Sequence, residues 1–267
     1  MSAVEELIAD VLAGRHGTPP RRLTATSVFW VHHGTRLAGG DTTYRNQYLL
    51  VRVGDSFGAC AFEADEVDPA VCRDASGASL DALLRDGPRA LRIAALDACL
   101  AAASPHRDTA GAEAVTLATG TPEHRAAARD AAVAELLGSA TGRTVGLIGV
   151  VNPLVAAIRE RGGEPLLCDL NLRTTRWGDP ITDDMHDVLD TADAVVATGM
   201  TLGNGTFDTV LGRCRERGVP LVVYAQTGSA VARAFLGAGV TALCAEPFPF
   251  SQFSADATTV YRYRAVS

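Results

Sequence analysis

Between Thr144 and Ala245 the chain alternates short apolar runs with amphipathic stretches. TVGLIGV, PLLCDL, ADAVVATG, VPLVVYA and VTALCA are separated by NPLVAAIRERG, TDDMHDVLDTA, TFDTVLGRCRERG and SAVARAFLGAG. Apolar runs this short and this rich in Val, Ile and Leu suit strands covered on both faces, and the segments between them carry helical spacing. Strand and helix in turn, joined by a few residues, predict a doubly wound, Rossmann-like parallel sheet with right-handed crossovers. Ligands of such sheets sit at the carboxyl ends of the strands, so the loops that follow each run are the place to look for function.

Upstream the pattern changes. VEELIADVLAG is an amphipathic helix with Gly14 as its stop, and SVFWVHHG, NQYLLVRVG and SFGACAF read as strands, the last two joined through Gly54-Asp55. PRALRIAALDACLAAAS is an Ala/Leu-rich helix that opens at Pro88 and ends near Ser104. TPEHRAAARDAAVAELLG has Thr121 as N-cap, Pro122 in the first turn and Gly138 as the stop. The less patterned PHRDTAGAEAVTLATG is expected to connect two domains, a smaller α+β unit over residues 1–104 and a Rossmann-like unit over 105–267. In EPFPFSQF, Pro247 and Pro249 exclude helix and interrupt a ladder. Phe248, Phe250 and Phe253 are therefore expected on an extended arm at the crevice edge and at a subunit interface, which implies a homo-oligomer.

Composition narrows the partners. With 31 acidic against 24 basic residues and a net charge of −7, there is no basic stripe for nucleic acid or anionic lipid. No apolar run reaches the length of a membrane span, and MSAVEELIAD lacks the features of a secretion signal, so a cytoplasmic protein without membrane contact is expected. The 6 cysteines stand singly without a C-x-x-C pair, which reads as packing.

Chemistry is carried by the strand-end loops. The first, GVVNPL, lacks the G-x-G-x-x-G spacing that lets backbone approach a pyrophosphate, so pyridine dinucleotides should bind poorly. Asn152 there is a helix cap and ligand candidate, with Pro153 in the first turn. Asp169 closes the second strand where an acid would accept from a ribose, and Arg173 and Arg176 follow on a loop. ATGMTLGNGTFD sets Thr198, Thr201, Asn204 and Thr206 among glycines that include Gly199, uncharged donors and acceptors on a pliable backbone. AQTGS adds Gln226 and Thr227. The crevice is expected to be lined by Asn152, Asp169, Thr198, Thr201, Asn204 and Thr227, with Tyr44, Asn46, Glu63 and Asp65 reaching it from the first domain. No G-x-S-x-G elbow, P-loop or H-E-x-x-H is present, so no catalytic residues are assigned.

Three segments, VGLIGVVNPL, DAVVATGMTLGNGTFDTVL and the helix RIAALDACL, together resemble the putative heavy-metal chelation family. The second is similar to that family's T-G-x-T-x-x-N-x-T pattern. The resemblance implies a Rossmann-like C-terminal domain preceded by a domain similar to the N-terminal part of enolase, and it implies metal binding. This chain departs from the family at Val151-Asn152, at Asp97 in place of a more usual asparagine, and at AQTGS. Its own candidate ligands are His32-His33, whose side chains would point to opposite faces of a strand, and Asp183, His186, Asp187 and Asp190 at helical spacing. The reading is a binding protein that holds a small molecule or divalent metal ion between its two domains. The alternative is an enzyme using an adenosine-containing cofactor such as S-adenosylmethionine, with Asp169 on the ribose.

Overall fold

The computed structural model describes residues 2–36 and 43–266. In chain order its elements are α1 (Ala3–Leu12), β1 (Ser27–Arg36), β2 (Thr43–Val53), β3 (Ser56–Phe62), α2 (Val71–Ala75), α3 (Leu80–Asp86), α4 (Arg89–Ala103), β4 (Glu113–Leu117) and α5 (Pro122–Ala134). There follow β5 (Thr144–Ile148), α6 (Asn152–Glu160), β6 (Glu164–Cys168), α7 (Met185–Leu189), β7 (Ala194–Thr198) and α8 (Met200–Gly203). The chain ends with α9 (Phe207–Arg217), β8 (Leu221–Ala225), α10 (Ser229–Ala234), β9 (Ala242–Ala245) and β10 (Thr258–Arg264).

Two sheets result among the described residues. β1, β2 and β3 form an antiparallel meander, turned at Gly54, whose φ of 59° suits a residue without Cβ. The larger sheet runs β4-β10-β9-β8-β7-β5-β6. Its five expected strands are parallel, and within that half the order by sequence is 2-1-3-4-5, so the direction of winding reverses between β5 and β7. The doubly wound α/β fold with a smaller α+β unit is thus present.

Two strands lie beyond those the pattern predicts. The supposed connection contains β4, and the C-terminal residues form β10. Both are antiparallel strands that extend the large sheet beyond β9. Neither shows the buried-strand signature: β4 is an edge strand with exposed Glu113, Ala114 and Thr116, and β10 buries Val260 and Tyr263 alone. In the aromatic arm Phe250 is covered by the chain itself, while Phe248 and Phe253 stay partly exposed. Tyr48 and Leu50 of β2 and Ala59 and Ala61 of β3 point away from α4 and leave the meander with a second apolar face. Phe250 fills that face and is fully buried, its ring 5.5 Å from that of Tyr48, with Phe248 and Phe253 packed beside it.

The opposite face of the meander, Leu49, Val51 and Cys60, joins a core that continues through α4 to Val195, Val223 and Leu243 of the large sheet. Contact there is at backbone range. A Cβ on Gly58 would lie 2.0 Å from the Ala98 nitrogen of α4, and one on Gly203 would lie 2.1 Å from the Ala61 oxygen of β3. Among the described residues no helix is long and apolar enough to cross a membrane.

Candidate functional site

A cavity of about 860 Å³ opens between the meander and the carboxyl ends of β5, β6, β7 and β8. This is the end of the sheet where the loops of a doubly wound fold can converge, and the reversal between β5 and β7 lies under it.

The floor is set by close backbone contacts. Gly149, after β5, has a φ of 90°, and a Cβ on it would lie 2.3 Å from Thr198 Oγ1 at the end of β7. A Cβ on Gly199 would lie 2.2 Å from the Thr227 oxygen. Glycine at both positions lets the three loops meet. Thr198 is 7 % exposed and its hydroxyl has no hydrogen-bond partner. Asp169, after β6, shapes the loops around it: Oδ2 accepts from Val150 N at 2.8 Å, and Oδ1 from Asn171 N at 2.8 Å and Leu172 N at 3.0 Å. Both of its oxygens thus hold backbone, the work of a loop staple. Asn171 Nδ2 then donates to Glu63 Oε1 at 3.0 Å, linking the large sheet to the end of β3 across the crevice.

Of the residues expected here, Asp169, Thr198, Gly199, Gln226 and Thr227 line the cavity, joined by Asn46 and Glu63 from the meander. Asn152, Thr201, Asn204, Thr206 and Asp65 do not line it. Asn152 is the first residue of α6, behind a Val151 cap, and its Oδ1 accepts from Arg176 N at 3.0 Å. Thr201 donates to the Thr198 oxygen at 2.8 Å, and Asn204 Oδ1 accepts from the Thr206 hydroxyl at 2.8 Å in an exposed turn. The side chain of Tyr44 lies outside the described residues.

The sequence reading missed the wall opposite. Arg125 and Arg129 of α5 line the cavity together with His33, Tyr48, Tyr224 and Gln252. The signal was available: two arginines four apart on an alanine-rich face that must be buried share one side of the helix. Arg125 is structural, giving Nη1 to the Asp256 oxygen at 2.6 Å and Nη2 to Thr258 Oγ1 at 2.8 Å. Arg129 is 9 % exposed, donates through Nε to Asp130 Oδ1 at 2.8 Å and places its guanidinium 5.3 Å from the centre of the Tyr224 ring. Burial alone would lower the Arg129 pKa, yet Asp130, Tyr224 and Glu246 outweigh it and hold the group well above its usual value, fully charged. Burial pushes the Asp130 carboxyl up despite Arg129, and raises the Tyr48 and Tyr224 phenols, which stay neutral donors.

Glu246, wholly buried behind this wall, accepts from Tyr224 Oη at 3.1 Å, Gln226 Nε2 at 2.8 Å and Ser251 N, so it ties the aromatic segment to β8. Burial, then the neighbouring His32, lowers the His33 pKa and favours the neutral ring, which stacks 5.4 Å from Tyr48.

The donors do not suit a bare metal ion. Among the described residues no three His, Cys, Asp or Glu side chains form a group able to hold one. The acidic stretch before and within α7 is otherwise engaged: Asp183 pairs with Arg173, Asp184 caps the helix at His186 N, Asp187 takes the Thr182 hydroxyl and Asp190 pairs with Arg213.

Residues 132–245 match the family model described as putative heavy-metal chelation. Two solved structures of proteins of unknown function from that family (DUF364) share the fold. The one from Desulfitobacterium hafniense is 14% identical and superimposes with a TM-score of 0.63, covering 97% of this chain and 95% of its own. The one from Pyrococcus horikoshii is 16% identical with a TM-score of 0.58, covering 97% and 98%. No curated protein matches the chain. Residues 132–245 thus carry the sequence pattern of the putative heavy-metal chelation family, and the chain as a whole has the fold of that family's solved members.

Proposed function

We propose that the protein binds a small polar molecule in the crevice between the meander and the large sheet. The observation that carries this is the cavity of about 860 Å³ at the strand carboxyl ends, which has the size and mixed lining of a small-molecule site. The layers around it meet at backbone range, at Gly58 against α4 and at Gly203 against β3. The test is a thermal-shift panel of small carboxylates, nucleotides, S-adenosylmethionine and divalent metals on the wild type and on Ala126→Phe, which fills the cavity from α5. A ligand of this site raises the melting temperature of the wild type and leaves the filled variant unchanged. Equal shifts in both would place the ligand elsewhere and end the proposal.

A further inference from the structure

Building on that reading of the crevice, we infer that its occupant is an amphipathic organic anion whose acidic group docks on Arg129, and not a bare metal cation. Arg129 lines the cavity with one of its five N–H donors used, Nε to Asp130. Among the described residues its terminal nitrogens, Nη1 and Nη2, have no acceptor. Neither nitrogen is sealed inside the protein without a partner, so both can meet a group that enters the cavity. The planar pair of terminal nitrogens matches the two oxygens of a carboxylate, or of a sulfonate or phosphate.

The surrounding groups leave this fork for a ligand. Asp130 fixes it from the Nε side and the Tyr224 ring lies against the guanidinium. Glu246, the other acid nearby, has its oxygens taken by Tyr224, Gln226 and Ser251 N, with no bond to Arg129.

The rest of the lining selects an organic body. Tyr48 and Phe253, with ring centres 6.2 Å apart, and His33, 5.0 Å from Phe253, make an aromatic wall that Val150, Leu172 and Met200 extend. Thr198 on β7 stands one strand over from Tyr224 on β8, about 5 Å along the sheet, where it lines the floor of the cavity. A metal ion alone would find neither three converging donors nor any use for this wall.

The test uses 8-anilinonaphthalene-1-sulfonate, its neutral analogue N-phenyl-1-naphthylamine, and zinc chloride alone. The wild type should bind the sulfonate at one site per chain and at least tenfold more tightly than the neutral analogue. Arg129→Gln should weaken the sulfonate about ten- to hundredfold, and Arg129→Lys, which keeps the charge beside Asp130 but loses the fork, by less. Neither variant should change the neutral probe by more than about twofold, and zinc alone should leave the melting temperature of the wild type unmoved. Equal binding of the two dyes by the wild type, a measurement that needs no variant, would overturn the inference. So would undiminished sulfonate binding by a folded Arg129 variant, or stabilisation by zinc alone that Ala126→Phe abolishes; these leave a crevice ligand of another kind. Sulfonate binding that survives Ala126→Phe would overturn the inference and would remove support for the crevice reading as well.

Discussion

Thr198 and Gly149 show how single atoms set this site. A buried hydroxyl without a partner destabilises the folded chain, and native structures retain few such groups. Thr198→Val keeps the shape and removes the unpaired group. It should raise stability by about 1 kcal/mol in urea unfolding, and a loss of stability would show that the hydroxyl is satisfied. Gly149 combines a φ of 90° with a Cβ position 2.3 Å from Thr198 Oγ1. Gly149→Ala meets both the backbone strain and the overlap, and a loss of about 2–4 kcal/mol is expected in the same measurement. In the double variant with Thr198→Ala the two shortest contacts are gone, and the strain and a Cβ–Cβ contact of 3.2 Å should remain.

At the scale of elements, Asp97 of α4 joins three of them. It is 2 % exposed; Oδ2 accepts from Ala59 N of β3 at 2.9 Å, and Oδ1 from Ala230 N and Val231 N of α10 at 2.7 and 3.3 Å. Burial raises its pKa from 3.8 to about 6 against the pull of those three N–H groups. The folded value lies above the unfolded one, so the fold favours the protonated form. That contribution is fully present below pH 3.8 and is lost as pH rises through 6, a change of about 3 kcal/mol. Asp97→Asn cannot titrate. The stability of wild type minus that of the variant should therefore fall by about this amount from pH 3.8 to 6, measured by denaturant unfolding at each pH, and a flat difference would refute the assignment. Above that range the ionised carboxylate accepts all three bonds, whereas an asparagine would turn its NH₂ toward one of these N–H groups.

For the whole molecule, one apolar cluster runs from α1 through the meander and α4 to Val195 and Leu243. Glycine contacts at backbone range, as at Gly58 and Gly203, close the layers against each other. Two units divided near residue 104 would each expose this cluster if separated. Unfolding should therefore be a single transition. Single-tryptophan variants that retain Trp30 of β1 or Trp177 of the loop after β6 should give the same midpoint in urea, and two separate midpoints would show independent units.

The five parallel strands, the helices between them and the caps at Thr121 and Gly138 were legible in the chain, because periodicity and capping act over a few residues. Strand ends located half of the crevice: Asp169, Thr198, Gly199, Gln226 and Thr227 line it. The 2-1-3-4-5 order, the addition of β4 and β10, the covering of Phe250 and the opening of Arg129 into a cavity were settled by tertiary structure. Each depends on a partner far along the chain, as β2 lies far from Phe250 and Asp97 lies 133 residues from Ala230. Local pattern shows that a face is apolar or that a donor exists. Which face covers it, and whether any acceptor reaches it, is decided when distant segments pack and water is excluded.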